Sequence, residues 1–546
     1  MRVTLAQLNP IIGDIDGNSV AIEAAIEAGA HDRSDLVVTS ELAVLGYPPR
    51  DLLLRQGVAA RCEDAVKRIA ARCTKTTALI GFPQPWPRGP RPFRNAVAVC
   101  ARGAIQAVYA KRLLPTYDVF DEDRYFTPGE TPVMVEIAGE RVAVLVCEDL
   151  WRSDDVGTAR RYTLDPVRDA MTDGATALAV LSASPFVLGK DKRHAEQLAA
   201  IAGNAVHVIA VNQSGGNDDL VFDGRSRAYA SGCGLVARLA AFRSETRTIE
   251  LASAAIDDLL TTREDETIDA IVCGIADYLR KTGHRTALLG LSGGIDSALV
   301  ATLAAIAIGR ANVTGVLLPS RHSSRGSIDD ALDSARRLGL RAAPIVPIEA
   351  GHDALRRTLG GVVPNVEGIV DENIQSRLRG TILMALSNAS GAIALTTGNK
   401  SEIAVGYATL YGDMNGGLAP IGDVPKTMVY ALARHLNLHH ARYGFDAPPI
   451  PQSSIDKVPS AELRPDQSDQ DSLPPYEMLD AIVEGWIDRD DSVDAIVART
   501  GIDIEIVRRW CKSIDRMQYK RDQAAVILKI SPRAFGRGRP MPIAHG

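Results

Sequence analysis

At 546 residues the chain is longer than one hydrophobic core normally organises, so two or more domains are expected. Its 46% hydrophobic and 23% charged residues fit a soluble globular protein, and a formal net charge of −6 argues against broad nucleic-acid binding or docking on an anionic membrane. The longest apolar run, near residues 298–308, falls far short of the roughly 18 residues of a membrane helix.

The first half, residues 1–245, alternates short apolar strands with helical stretches. RVTLAQL, DLVVTSEL, TALIGF, NAVAVCA, VAVLVCED, ALAVLSAS and HVIAVNQ read as strands rich in Val, Ile and Leu, and 18–30 and 191–204 read as helices. Polar residues close many of these strands, which places candidate sites at strand ends in an α/β layer arrangement. Residues 246–264 read as a connector. In the helix that follows, Ile268, Ile271, Val272, Ile275, Ala276 and Leu279 line one face, and Gly283 closes it. Further α/β units run to about residue 430, and the pattern repeats nowhere in sequence. Residues 447–475, rich in Pro, Ser and Asp, read either as a mobile or ligand-gated loop or as a disordered surface segment. Residues 476–530 read as helices.

Cys62, Cys73, Cys100, Cys147, Cys233, Cys273 and Cys511 stand singly, with no CxxC spacing to suggest zinc or a redox pair. That count, and an N-terminus that alternates like a strand and lacks a signal-peptide apolar core, lead to the expectation of a cytoplasmic protein. Cys147 differs from the other six in closing a strongly apolar strand just before two acids. As a nucleophile it would need a base and a cation, and no His lies near it in sequence. Glu41 in VVTSELAVLGYPPRD and Lys111 in VYAKRLLPTYDVFDEDRYF also sit at strand ends and could supply them; singly, each could be a solvated charge and Cys147 a buried structural thiol.

These three segments, in this order over residues 1–245, resemble the nitrilase superfamily. The resemblance implies an αββα sandwich with Glu41 as general base, Lys111 as oxyanion-stabilising cation and Cys147 as the nucleophile that forms a thioester. It adds Glu122 in FDEDRYF as a second glutamate. The form YAKRLLPTYDVFDE with CEDLW is similar to the glutaminase branch, and so implies L-glutamine contacts from Tyr117, Ser184 and Lys190. Ser184-Pro185 could equally be a plain turn and Lys190 the start of a helix.

The second half opens on TALLGLSGGIDSA, in which a strand, a glycine turn and a helix follow one another as in phosphate-binding loops. The Walker Lys-Ser/Thr pair is absent. Gly293 and Gly294 let backbone N–H groups face an anion, Ser292 and Ser297 add hydroxyls, and the helix aims its positive end at phosphate. Asp296 repels phosphate directly and suits Mg²⁺ instead. The string Gly290, Leu291, Ser292, Gly293, Gly294, Ile295, Asp296, Ser297 resembles the signature of the N-type ATP pyrophosphatases, in which a substrate oxygen attacks the α-phosphorus and the loop holds the leaving pyrophosphate. That attack rests on positioning and charge neutralisation rather than on a Walker lysine.

Five further stretches, LLPSRHSSRGS, ENIQSRLRGTILMALSN, TTGNKSEIAVGYATLYGDMNGGLAPIGDVPKT, VPSAELRP and YKRDQAAVILKI, closely resemble the NAD⁺ synthetases over 265–540. The implied domain at 265–546 is a doubly wound parallel sheet, with ATP as co-substrate. By this resemblance Thr397, Lys426 and Ser460 contact ATP, while Asn373, Lys520 and Arg377 or Arg379 contact deamido-NAD⁺. Glu402 shares Mg²⁺ with Asp296 and lies near the dinucleotide. Asn373 could instead cap its helix and Lys520 be a solvated charge. Leu410 departs from the pattern, standing where ammonia-dependent relatives tend to carry a lysine near the dinucleotide.

Together the resemblances imply glutamine hydrolysis supplying ammonia, passed inside the protein, to amidate adenylated deamido-NAD⁺. A homo-oligomer is expected from the relatives, with small-molecule substrates and neither nucleic acid nor membrane as partner. Two competing readings keep parts of this: an amidotransferase acting on a different carboxylate, and a nucleotide-binding sensor carrying a degenerate amidase.

Overall fold

The computed structural model describes residues 1–151, 162–232, 234–258, 261–363 and 365–544, and the chain divides into two compact units, Met1–Thr261 and Thr262–Gly546. No described helix is long and apolar enough to cross a membrane.

The first unit contains, in order, β1 (Arg2–Gln7), α1 (Ile15–His31), β2 (Leu36–Val38), α2 (Val58–Ala70), β3 (Thr77–Pro85), β4 (Phe93–Ala101), β5 (Ala104–Ala110), β6 (Met134–Ile137) and β7 (Glu140–Val146). There follow α3 (Pro166–Thr172), β8 (Ala177–Ser182), α4 (Lys190–Ala202), β9 (His207–Asn212), β10 (Ser214–Asn217), β11 (Leu220–Asp223), β12 (Arg227–Ala230), β13 (Gly234–Arg238) and β14 (Glu245–Glu250). Two six-stranded sheets result, ordered β14-β1-β2-β3-β4-β5 and β13-β12-β9-β8-β7-β6. Each has a parallel trio, β1-β2-β3 in one and β7-β8-β9 in the other, flanked by antiparallel strands on the same pattern. The chain thus repeats a strand plan without a visible sequence repeat.

Strand periodicity builds the four layers. Val3, Leu5, Leu36, Val38, Leu79 and Val97 point inward to meet Val142, Val144, Val146, Ala179, Leu181 and Ile209 from the other sheet. Their alternate neighbours Val37, Ala78, Ile80 and Ala98 face α1 and α2. On the second sheet Leu145, Leu178, Val180 and Val208 face α3 and α4. Strands buried on both faces read as continuous apolar runs, which is why they are visible in the sequence. The stretch expected as a connector begins inside this sandwich, because β14 pairs with β1 from Arg2↔Glu250 to Gln7↔Glu245. Its alternation of Thr and charged residues is that of an edge strand, whose polar side faces water.

The second unit contains α5 (Arg263–Lys281), β15 (Ala287–Gly290), α6 (Ile295–Ile308), β16 (Val313–Val316), α7 (Arg325–Leu338), α8 (Glu349–Leu359), α9 (Ile369–Ser390), β17 (Ile393–Ala394), α10 (Lys400–Val405), β18 (Leu418–Ala419) and α11 (Lys426–Leu438). It closes with α12 (Gln452–Asp456), α13 (Tyr476–Val483), α14 (Val493–Thr500), α15 (Ile504–Arg516), α16 (Gln518–Arg521) and β19 (Val526–Ile527). The parallel order β16-β15-β17 forms the sheet, extended by parallel bridges Thr314↔Ala342 and Leu395↔Leu418. Leu288 packs under α9, and its buried neighbours Ala287 and Leu289 point to the opposite face, so helices cover both sides. Helix α6 is almost wholly apolar because it runs buried among α5, α7 and α11.

Residues 447–475 make defined contacts within this unit. Lys457 pairs with Asp330 at 2.6 Å, Glu462 accepts from Ser327 Oγ at 2.5 Å, and Gln375 donates to the Leu463 carbonyl at 3.0 Å.

Candidate active sites

In the first unit the candidate residues come together where the two sheets end. Glu41 follows β2, Lys111 follows β5, and Cys147 follows β7 of the opposite sheet. Lys111 is 1% exposed and donates to Glu41 Oε1 at 2.7 Å and to Glu122 Oε1 at 2.8 Å. Two carboxylates thus share one ammonium. Burial works against the charge on Lys111, but Glu122 and Glu41 hold its pKa well above the ordinary value. Burial, with Glu41 adding to it against the pull of Lys111, pushes Glu122 up to about 7.

Cys147 sits at φ 42°, a left-handed conformation that costs a side-chain-bearing residue energy and here turns the thiol off the strand end. Burial, then the Glu41 carboxylate, push its pKa well above the ordinary thiol value, and Lys111 only partly offsets them. The resting sulfur is therefore protonated, and it would need a base to act as a nucleophile.

Several participants carried no sequence signal that singled them out. Asn95 donates to Glu41 Oε1 at 2.7 Å, and Tyr47 donates to Glu122 at 2.9 Å. Glu41 Oε2 accepts from the Ala183 N–H at 3.0 Å, tying Glu41 to the second sheet. Asp149 ties the sheets in the reverse sense: it accepts from Val146 N at 3.0 Å, Arg112 N at 3.0 Å, Leu113 N at 2.9 Å and Tyr109 Oη at 2.8 Å. It thereby clamps the neighbours of both Cys147 and Lys111. The two acids after Cys147 were legible as acids, but only the fold tells clamp from lining.

The other acid, Glu148, accepts from Tyr117 Oη at 3.0 Å and Tyr162 Oη at 2.9 Å. Lys190, at the start of α4, donates to Ser184 Oγ at 2.5 Å and to the Pro185 carbonyl at 3.2 Å. Ser184 and Lys190 line one small cavity. An anion held by tyrosines and a cation held by a serine thus flank the thiol, and Cys147 feels both charges.

In the second unit the loop after β15 is shaped as its glycines require. Gly293 has φ +81°, and a Cβ there would lie 2.2 Å from the Ser327 carbonyl oxygen. Ser297 Oγ donates to the Gly294 carbonyl at 3.0 Å and meets Ser292 Oγ at 3.1 Å, and the Gly294 N–H donates to Ser292 Oγ at 3.2 Å.

Asp296 in the first turn of α6 accepts from Asn399 at 2.9 Å and from Lys426 at 2.6 Å. Lys426, 2% exposed, also reaches Glu402 at 3.2 Å. Burial, opposed by Lys426 and aided by Asp296, pushes Glu402 up to about 7. Two carboxylates compete for one ammonium beside the glycine loop, a donor set of hard oxygens that fits Mg²⁺. Thr397 is half-buried in the turn between β17 and α10. Ser460 Oγ accepts from the Glu462 N–H at 3.1 Å, in the segment anchored on Ser327 and hence on the helix against which Gly293 packs.

A third group gathers on the segment after α10. Lys520 donates to the carbonyls of Gly406 at 2.8 Å and Ala408 at 2.7 Å, so it is held rather than solvated, and burial lowers its pKa. Asn373 Oδ1 accepts from Thr409 Oγ1 at 2.8 Å in the second turn of α9, so it does not cap that helix. Arg377 donates to the Leu410 carbonyl at 3.2 Å, whereas Arg379 turns to the Leu318 carbonyl at 3.0 Å. Asn373, Arg377 and Lys520 therefore share one cradle, and Arg379 lies outside it.

Residues 2–260 match the family model for carbon-nitrogen hydrolases and residues 267–524 that for NAD synthase. Over 562 residues the sequence is 42% identical to the glutamine-dependent NAD(+) synthetase of Synechocystis sp., covering 100% of this chain and 98% of that one. The chain belongs to the glutamine-dependent NAD⁺ synthetases. The synthetase of Thermotoga maritima is 39% identical over 590 residues, with the same coverage. The structure of the glutamine-dependent NAD⁺ synthetase from Acinetobacter baumannii, a complex with ADP, is 34% identical, superposes with a TM-score of 0.78, and covers 99% of this chain and 98% of that one. The Cytophaga hutchinsonii synthetase, 22% identical with a TM-score of 0.82 over 100% of this chain and 97% of that one, shares the fold. The enzyme is thus a C–N-bond-forming ligase that makes NAD⁺ with glutamine as nitrogen donor, built from a glutaminase-type and a synthetase-type domain.

Proposed function

We propose that the first unit hydrolyses glutamine at Cys147 and the second adenylates deamido-NAD⁺ at the Gly290–Ser297 loop. The observation that carries this reading is the convergence of Glu41, Lys111 and Cys147 from the ends of two sheets onto one buried point.

Cys147 attacks the glutamine side-chain carbonyl as Glu41 takes the thiol proton. Lys111 stabilises the oxyanion, and the proton on Glu41 leaves with ammonia. Water, activated by the same carboxylate, then cleaves the thioester to release glutamate. Glu122 holds Lys111 from the other side. Tyr117, Ser184 and Lys190 bind glutamine, Lys190 facing its α-carboxylate, and Glu148 is placed for the α-ammonium.

In the second unit the carboxylate oxygen of deamido-NAD⁺ attacks the α-phosphorus of ATP and pyrophosphate leaves. Gly293, Gly294, Ser292 and Ser297 hold the pyrophosphate. Asp296 and Glu402 would hold Mg²⁺, which would neutralise phosphate charge there. Lys426, freed from these carboxylates, faces the phosphates with Ser460, and Thr397 contacts ATP. Asn373, Arg377, Lys520 and Glu402 receive the dinucleotide. Ammonia then attacks the acyl carbon of the adenylate and AMP departs, leaving the carboxamide.

The test is Cys147→Ala. Glutamine-driven NAD⁺ formation falls to background while ammonia-driven formation persists; retained glutamine-driven synthesis would refute the assignment. Absence of AMP formation with deamido-NAD⁺ in the wild type would point to another carboxylate acceptor.

A further inference from the structure

Four consecutive residues at the start of α10 tie the pair Asp296 and Glu402 to the rest of the second unit. Lys400, 0% exposed, is held by Asp423 at 2.9 Å and Asp488 at 2.6 Å. Ser401 Oγ accepts from the Lys426 N–H at 2.9 Å and donates to Asp480. Glu402 takes the Lys426 ammonium at 3.2 Å. Asn399, also 0% exposed, has no part in the proposed chemistry, yet it touches both carboxylate-bearing residues.

Both ends of the Asn399 amide are engaged. Its Oδ1 accepts from the Glu402 N–H at 3.1 Å, which caps α10, and its Nδ2 donates to Asp296 Oδ1 at 2.9 Å. A backbone N–H on one side and a carboxylate on the other leave the amide a single orientation. The two oxygens of Asp296 are thereby divided. Oδ1 belongs to Asn399, and Oδ2 is the oxygen turned to a cation, here Lys426 at 2.6 Å.

That division bears on which ion the pair would accept. Mg²⁺ demands near-ideal octahedral geometry, into which the narrow bite of a carboxylate using both oxygens fits poorly. Ca²⁺ takes carboxylates through one oxygen or both.

We propose that Asn399 is a positioning and specificity residue of the synthetase site: by holding Asp296 Oδ1 it limits Asp296 to one oxygen toward a cation, and so favours Mg²⁺ over Ca²⁺. This rests on the reading of Asp296 and Glu402 as Mg²⁺ ligands. An asparagine that only capped α10 would be replaceable by serine, which caps a helix equally well but offers Asp296 no amide N–H.

The experiment is isothermal titration of the full-length enzyme with α,β-methylene ATP, which resists cleavage at the α-phosphorus, saturated with either Mg²⁺ or Ca²⁺. In Asn399→Ser the affinity for the Mg²⁺ complex falls about 10- to 100-fold, as for loss of the partner behind a metal ligand, while that for the Ca²⁺ complex changes far less. Unchanged affinities, or equal losses with both ions, overturn the proposal. Thermal unfolding reports folding; should Asn399→Ser fail it, Asn399→Thr keeps a capping hydroxyl and gives the same comparison. Asp296→Asn separates the two layers. An unchanged affinity for the Mg²⁺ complex in that variant sinks the underlying assignment, whereas weaker binding there with wild-type behaviour in Asn399→Ser sinks only the role of Asn399.

Discussion

Asp149 touches neither the thiol nor its base in the proposed chemistry, yet it holds the backbone beside both Cys147 and Lys111. Its two oxygens accept four bonds, and an amide in its place can accept on one oxygen only. Asp149→Asn therefore leaves two buried donors facing an NH₂ group, either Val146 N with Tyr109 Oη or Arg112 N with Leu113 N. At about 1–3 kcal/mol for each stranded donor the loss is roughly 2–6 kcal/mol.

An opposing effect comes from the charge. Burial pushes Asp149 up to about 6 from 3.8. For an acid this sign means that ionisation costs stability: the cost is full above the folded pKa of about 6 and disappears below the unfolded value. About two pH units correspond to roughly 3 kcal/mol, which the uncharged amide does not incur at neutral pH. The net change for Asp149→Asn at pH 7 runs from a stabilisation of about 1 kcal/mol to a destabilisation of about 3 kcal/mol. Asp149→Ala strands all four donors, and even the low end of about 4 kcal/mol exceeds the relief.

Catalysis suffers more than stability, because the bonds flank Cys147 and Lys111, and misplacement by about 1 Å costs on the order of 10²-fold. Urea unfolding of the first unit, and NAD⁺ formation driven by glutamine and by ammonia, are the assays. Glutamine-driven turnover in Asp149→Asn drops about 10²-fold while ammonia-driven turnover holds. Wild-type glutamine turnover in that variant would refute the clamp.

Other outcomes follow from the same geometry. Glu122, pushed up to about 7, takes a proton as pH falls through neutrality and so removes a negative charge beside Lys111 and Glu41. Glutamate release should then decline through about pH 7 in the wild type, and Glu122→Gln should show a lower rate without that inflection; an inflection that persists in the variant belongs to another group. Gly293→Ala places a Cβ 2.2 Å from the Ser327 carbonyl at φ +81°. A left-handed alanine costs about 1–2 kcal/mol before any shift of the loop, so NAD⁺ synthesis collapses from either nitrogen source while glutamate release continues. Unimpaired ammonia-driven synthesis in Gly293→Ala would mean that the loop tolerates the displacement.

Sequence legibility followed burial. Strands covered on both faces, such as β7 and β8, announce themselves as apolar runs, and TALLGLSGGIDSA announces a strand, a turn and a helix. The edge strand β14 did not, since one polar face makes it resemble a linker. Residues 447–475 did not either, since their anchoring is by Lys457, Glu462 and the Leu463 backbone, and such long-range polar pairing leaves no periodic trace. Among site residues, Glu41, Lys111 and Cys147 were visible as polar groups ending apolar strands. Asn95 lies inside a strand, and its role appears only when β4 is placed beside β3.

The placement of the thiol on one sheet and of its base and cation on the other has a mechanical consequence. The sandwich acts as a caliper whose jaws are the ends of β2, β5 and β7 and whose gap is set by the apolar filling between the sheets. Trimming a filler between the sheets that touches none of the three groups, such as Leu79 or Val142, closes or skews that gap. Turnover at Cys147 then becomes a gauge of how tightly two sheets are pressed together, and moderate hydrostatic pressure should register in glutamate release before it registers in unfolding.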